Sequence, residues 1–460
     1  MSRSKLFFLA CALVFSLVGC GGDGGAPVEE GGAVSNPVIG DDGAGSGPEV
    51  GGGGGVVSNP GADAGESVDF PEPEGVVELE IDPLGNPLPE SKEEGSIDTM
   101  MTLTIDGSVL HKPGRISVQG SSTARFPKKN WKLEFFADED RTQELAIRVG
   151  DSIWSKKWVA KAEFVDPTLL RNATSFRLWD AMLNSRDTPP FYDVDNAWPR
   201  ADFAADHDYH RPVYGRGYPD TYPMRVQMDG QFYGLSILLL GHDKNNYNID
   251  PDNPQHVFLE FDGEPLEPDG DGSWGDEDWA RFRTVKPDGS DALGEWVDLR
   301  SPKNKDATAA QRAAIDGLGR FINGDQENFT ANFDRYFDKA NVIDMMLFME
   351  MIYDWDSIAH NIEMVTYDLK KWYFTPWDKD MTFGMSFDRK IEKQASDKLF
   401  DFTTEQPAQK PWYKTYGAFQ SDVEARYAEL RAQGVFSVEN LKAIMADVDR
   451  FSEEDRSDEE

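Results

Sequence analysis

The sequence predicts an α+β fold in two lobes, a β-rich lobe with one main helix followed by a mostly helical lobe. Two observations predict it. Segments of the first half alternate apolar and polar residues with a period of two, as half-buried strands do. Segments of the second half repeat apolar residues at helical spacing, after a polar, loop-rich stretch at 243–306. Strands followed by helices in one chain read as α+β rather than as alternating βαβ units.

Taken in order, residues 77–81 and 101–105 alternate cleanly, and Asp106-Gly107 follows as a turn. The sheet continues through Val109-Leu110, 115–118 and 131–135. Residues 169–183 carry Leu170, Phe176, Leu178, Trp179 and Met182 at helical spacing, with Asp166 as the expected N-cap and Pro167 at the first helical position. A hairpin is expected at 224–240 around Asp229-Gly230. Helices are expected at about 307–323, 340–353, 418–433 and 437–449, the last capped by Ser437. These readings set the lobes at 76–240 and 241–460.

The N-terminus reads as an export signal. Arg3 and Lys5 precede the apolar run 6–19, which falls short of the ~20 residues a spanning helix needs. The ending Leu17-Val18-Gly19-Cys20 resembles a bacterial lipoprotein signal, which implies residues 1–19 as signal peptide and a lipid on Cys20. That places the mature protein outside the cytoplasm, anchored to a membrane, in the periplasm or at the cell surface. Residues 21 to about 75 are Gly-rich, contain no Lys or Arg, and repeat Val-Ser-Asn-Pro at 34–37 and 57–60. Such composition buries too little apolar surface to offset its ordering entropy, so a flexible tether is expected over 20–75. The other cysteine, Cys11, leaves with the signal, so the mature chain has no disulfide and no thiol nucleophile.

A net charge of −37 makes nucleic acid a poor partner. Within that charge, His111 to Lys132 is a reversal: Lys112, Arg115, Arg125, Lys128, Lys129 and Lys132 occur without one acid. Inside it, the turn Gly120-Ser121-Ser122-Thr123 offers backbone N–H groups and hydroxyls suited to phosphate oxygens, although a solvated basic turn is the plainer reading. Lys132 sits in a strand and points opposite to Trp131 and Leu133; a lysine so placed is either exposed or a phosphate clamp, with Glu163 among its acidic partners. Arg171 and Asn172 are polar positions on an otherwise apolar helix, either exposed or positioning phosphate.

Residues 356–384 carry the most chemistry. Asp356 and Asn361 stand five residues apart, the spacing of a phosphoryl-transfer loop whose Asp orients a hydroxyl and whose Asn reaches a metal ion. A buried helix leads into Asp356. A hairpin of strands at 362–367 and 371–375 leads out of Asn361 to Asp378 and Asp380, hard oxygen ligands suited to Mg²⁺ or Mn²⁺. No His pair of zinc-hydrolase spacing and no nucleophile elbow is present, while a paired-carboxylate hydrolase stays open. The Gly/Asp-rich insert near 262–278 lacks the EF-hand ligand order.

Together, Arg115, Gly120-Ser121-Ser122, Pro127-Lys128-Lys129, Lys132, Leu170-Arg171-Asn172, Tyr233-Gly234-Leu235, Trp355-Asp356, His360-Asn361 and Pro376-Trp377-Asp378 through Gly384 resemble the CotH kinase family, the spore-coat-protein-H-like atypical protein kinases. The resemblance runs from about 95 to 390. It implies a divergent protein-kinase-like fold and transfer of the ATP γ-phosphoryl to Ser or Thr of a protein substrate with Mg²⁺ or Mn²⁺. It further implies Lys132 on the nucleotide phosphates with Ser121, Ser122 and Arg171 assisting. Asp356 is the implied catalytic Asp, and Asn361, Asp378 and Asp380 the metal ligands, with the two acids not ranked. The sequence departs at Gly241-His242-Asp243, where the family commonly carries an acid before its Asp. The alternative is a non-catalytic surface binding or assembly protein on the same fold.

Overall fold

The computed structural model describes residues 56–58, 66–120, 122–187, 215–261, 279–286, 288–294, 297–358, 360–391, 398–400, 402–403 and 409–459. Cys20, Ser121 and the 262–278 insert lie outside the described residues.

The chain enters through β1 (Val56–Ser58) and β2 (Glu66–Phe70), and β3 (Val77–Asp82) buries every second residue. The long strands β4 (Ser96–Ile105) and β5 (Ser108–Gln119) meet at Asp106-Gly107, both with positive φ, as a two-residue hairpin turn requires. β6 (Asn130–Phe135), β7 (Ala146–Val149), β8 (Trp158–Lys161) and helix α1 (Arg171–Asn184) follow. β9 (Thr221–Met228) and β10 (Gln231–Leu240) turn at Asp229-Gly230, again both at positive φ.

Seven of these strands close a barrel in the order β10-β8-β6-β5-β4-β3-β9, with β3 parallel to β9. The β-rich half is therefore a closed barrel, not an open sheet. β2 lies parallel to β7 and antiparallel to β1, outside the barrel. Two of the strands thus fall within the stretch expected to be tether. Ser67, Val68 and Phe70 are buried, so the composition of 21–75 hid a strand at its end.

β11 (Val257–Phe261), β12 (Val297–Ser301), β13 (Ile362–Thr366) and β14 (Trp372–Thr375) form a second sheet, ordered β12-β11-β13-β14. The helices of this half are α2 (Ala309–Asn323), α3 (Gln326–Tyr336), α4 (Lys339–Ile352), α5 (Lys410–Ala432), α6 (Val438–Val448) and the short α7 (Glu453–Glu459); α4 packs on β14, α6 on α1, and α7 on β10 of the barrel. Ser437 caps α6 as expected, accepting from Asn440 N at 3.0 Å. No helix of the described residues is long and apolar enough to cross a membrane.

Two large apolar cores result among the described residues. Trp131, Leu133, Trp158, Ala160, Leu238 and Leu240 fill the barrel. Val159, Ile237 and Leu239 on the opposite face of β8 and β10 join a larger core with α1, α4 and the second sheet. The main helix α1 buries Phe176, Leu178, Trp179 and Met182 in that larger core. The two-residue period of β8 also sets the direction of its last side chain. Lys161 is in phase with Val159 and points away from the barrel lumen.

Candidate active site

The helix α4 is buried on nearly all sides and stops at Tyr353, whose φ of 51° turns the chain sharply. Asp354 and Asp356 emerge directly from that stop, both buried. Asn361 (φ 48°) then enters β13, whose antiparallel pairing with β14 returns the chain to Asp378, as the sequence pattern predicts. Asp378 (φ 48°) and Phe383 (φ 53°) are left-handed as well. Such conformations in non-glycine residues persist where surrounding contacts impose them, and they gather at functional sites.

The structure brings Asp356 and Asn361 together: Asn361 donates through Nδ2 to Asp356 Oδ2 at 2.8 Å. That contact leaves the Asn361 side-chain oxygen available to a cation. Burial pushes Asp356 up to about 6, and the nearby charges of Asp354 and Asp378 add to it against His360 and Lys379. Lys379, between Asp378 and Asp380, is itself buried. Its ammonium meets Asp354 Oδ2 at 2.7 Å and Ser357 Oγ at 2.6 Å, so it ties the Asp378–Asp380 loop to the loop of Asp356.

The lysine at the centre is Lys161, not Lys132. Its Nζ contacts Asp378 Oδ1, lies 3.1 Å from Asp380 Oδ2 and 3.5 Å from Glu163 Oε1, and the residue is 4% exposed. Burial alone would lower its pKa, but the three carboxylates outweigh burial and hold it well above the ordinary lysine value. Burial likewise pushes Asp378 up, yet the Lys161 cation beside it wins and the carboxyl lies below its usual range. Asp380 goes the other way, well above its usual range, through burial and the Asp378 charge. Glu163, buried beside them, is raised to about 7 by burial.

Lys132 lies on the same face of the sheet, opposite Val159, but its ammonium is partly exposed and pairs with Glu134 on its own strand. The structure does not bring it to the acids. The Glu163 considered as its partner serves Lys161 instead. Lys161 does not stand out in the sequence because β8 has four residues, too few to show alternation. A signal was present all the same, a lysine and a glutamate inside the apolar run 158–165.

Arg171 also differs from expectation. It is buried, its guanidinium engages Asp166, and Nε donates to the Thr382 carbonyl at 3.0 Å. These contacts make Arg171 a strut between the start of α1 and the Asp378–Asp380 loop. Asn172 next to it donates to Glu163 Oε1 at 2.7 Å and accepts from Lys379 N at 2.7 Å. Asp166 caps α1 from farther upstream than expected. Its carboxylate accepts from Leu170 N and Arg171 N, because Leu169 at φ 61° inserts a turn before the helix. Ser122 opens a short 3-10 turn, Ser122–Arg125, just before β6.

At the departure Gly241-His242-Asp243, His242 is enclosed with its ring edge-on to Trp377 (3.5 Å between centroids) and Nδ1 3.2 Å from Glu363 Oε1. Burial holds its pKa well below the ordinary histidine value. Asp243 accepts from Ser155 Oγ at 2.6 Å and from Asn245 N at 3.0 Å, so it braces the end of the barrel.

Asp378 and Asp380 both reach one cation, the Lys161 ammonium, which shows that their oxygens converge on a point of positive charge. Among the described residues no group of three His, Cys, Asp or Glu side chains is arranged to hold a metal ion. Two carboxylates and an amide oxygen fit Mg²⁺ all the same, since that ion is commonly held by one or two carboxylates with water and substrate phosphates completing its shell.

A closed barrel thus packs against a helical, α+β region, with a buried lysine, a paired Asp–Asn loop and an acidic loop close together. A family profile described as CotH kinase protein matches residues 116–453, most of the sequence, and the chain belongs to the CotH kinase family. No curated protein matches it.

Proposed function

We propose that this chain is an exported, lipid-anchored protein kinase that transfers the ATP γ-phosphoryl to Ser or Thr of an envelope or surface protein. The observation that carries the reading is that Asp378 and Asp380 meet on Lys161, while Lys379 between them ties their loop to Asp354 and Ser357, which flank Asp356 of the Asp356–Asn361 pair. Such convergence is what phosphoryl transfer needs, because its catalysis is mostly positioning and charge stabilisation.

In this reading Lys161, rather than Lys132, takes the nucleotide phosphates when it leaves the carboxylates. Asp356, ionised above about pH 6, accepts the proton of the attacking hydroxyl. Asn361, Asp378 and Asp380 would hold Mg²⁺ or Mn²⁺, which supplies positive charge to the phosphate oxygens. Glu163 and Asn172 keep Lys161 and the metal loop in place. Cys20 carries the lipid, and the Gly-rich residues hold the folded part clear of the membrane.

The test is transfer from labelled ATP with Mn²⁺ by wild type, Asp378→Ala and Asp380→Ala. Transfer lost in either variant, with the fold intact, supports the reading; wild-type rates in both overturn it. Wild type that neither transfers phosphate nor gains thermal stability with ATP and Mn²⁺ would be the non-catalytic assembly protein instead.

A further inference from the structure

Two loops adjoin the carboxylate cluster. Residues 122–129 lead into β6, where Asn130 Oδ1 accepts from Ala162 N at 2.8 Å, between Lys161 and Glu163. Residues 385–391 follow the metal loop directly. An aromatic stack joins the two loops. Phe126 stacks on Phe164, the neighbour of Glu163, at 4.5 Å between centroids, and tilts against Phe387 at 5.4 Å. Guanidinium groups lie on this stack from both sides: Arg125 is 4.8 Å from the Phe387 ring and 5.8 Å from Phe126, and Arg389 is 4.8 Å from Phe164.

Both arginines are exposed, and among the described residues neither pairs with a carboxylate. Their state is unusual in a chain of 83 acids against 46 Lys and Arg. Arg115, Arg148, Arg225, Arg300 and Arg312 all pair with an acid. The neighbouring Lys128 ammonium is already held by Glu459 at 2.5 Å, so Arg125 and Arg389 are the cations left open at this edge among the described residues. Contact with a ring face holds a guanidinium in place without using its N–H donors. That is the pre-organised form in which arginine recognises a carboxylate.

We infer that Arg125 and Arg389, set on the Phe126–Phe164–Phe387 stack, form a docking site for an acidic segment of the protein substrate beside its acceptor hydroxyl. Charge complementarity selects this occupant. The acidic charge of the chain as a whole repels such a segment, whereas among the described residues this patch beside the carboxylate cluster offers it two unpaired arginines. The word substrate rests on the kinase reading; the docking does not.

The experiment uses the full chain and two fluorescein-labelled serine peptides, one flanked by glutamates and one by lysines, read by anisotropy. The glutamate peptide is expected to bind more tightly, to weaken with added salt, and to lose about tenfold in affinity in the Arg125→Gln/Arg389→Gln protein at unchanged unfolding temperature. Equal binding of the two peptides, or wild-type binding by the double variant, overturns the inference. In turnover, the KM for the glutamate peptide should rise about tenfold at constant kcat. A rise in the KM for ATP instead would assign the arginines to nucleotide and overturn the inference. If wild type transfers no phosphate at all, the kinase reading fails while the anisotropy still decides the docking.

Discussion

Replacing Lys161 with methionine removes the cation that Asp378, Asp380 and Glu163 share. The side chain is nearly isosteric and the site is buried, so the change leaves up to three enclosed carboxylates without that counter-charge. Breaking a buried ion pair by deleting one partner costs about 3–5 kcal/mol. In a folded unit of this size that loss corresponds to roughly 5–10 °C in unfolding temperature. The loss must also depend on pH. Glu163 titrates at about 7 and Asp380 lies above its usual range, so acidification neutralises the stranded carboxylates. K161M should therefore be much less stable than wild type at pH 8 and close to it at pH 5. Millimolar Mn²⁺ should restore part of the loss at pH 8 by replacing the missing charge. Scanning calorimetry across pH, with and without Mn²⁺, makes the comparison. Equal stability of K161M and wild type at pH 8 would refute the claim that Lys161 neutralises the cluster.

Three further outcomes are expected from the same geometry. Glu350 in α4 accepts from Phe400 N at 3.1 Å, and burial raises it to about 7. Its folded pKa exceeds the unfolded value, so its contribution is fully present below about 4.5 and is lost as pH rises through 7; E350Q should gain roughly 1–3 kcal/mol at pH 8 and nothing at pH 4 in denaturant melts. Because Asp356 titrates at about 6, the transfer rate should fall about tenfold per unit below that pH, and a flat profile down to pH 4 would exclude it as the base. Arg171→Ala should destabilise the nucleotide-free protein by about 3–5 kcal/mol by stranding Asp166, whereas a nucleotide ligand would leave the free protein unaffected.

Local patterns carried much of this architecture in the sequence. The turns Asp106-Gly107 and Asp229-Gly230 announced their hairpins because both demand positive φ. The buried helix before Asp356 and the hairpin from Asn361 to Asp378 were legible from apolar runs broken by turn residues. What escaped depends on contacts distant in sequence. Closure of the barrel rests on β3 lying parallel to β9, and no local period encodes that register. Helix α3 was missed because it buries only Phe329 and Phe333. Arg171 and Asn172 stood out as polar on an apolar helix, but their partners Thr382 and Lys379 lie some two hundred residues away. Lys132 was visible because its strand alternates, whereas Lys161 ends a four-residue strand, and only the folded chain brings it to Asp378 and Asp380.

If Asp356, Asn361, Asp378 and Asp380 form one phosphoryl-transfer centre served by Lys161, the most direct measurement is transfer of labelled phosphate from ATP. It is run with Mn²⁺ and host envelope proteins on wild type, Asp356→Ala, K161M and Lys132→Met. Wild type and Lys132→Met should each give a phosphorylated band, and Asp356→Ala and K161M none. Undiminished transfer by Asp356→Ala, or loss with Lys132→Met and not with K161M, would contradict that assignment.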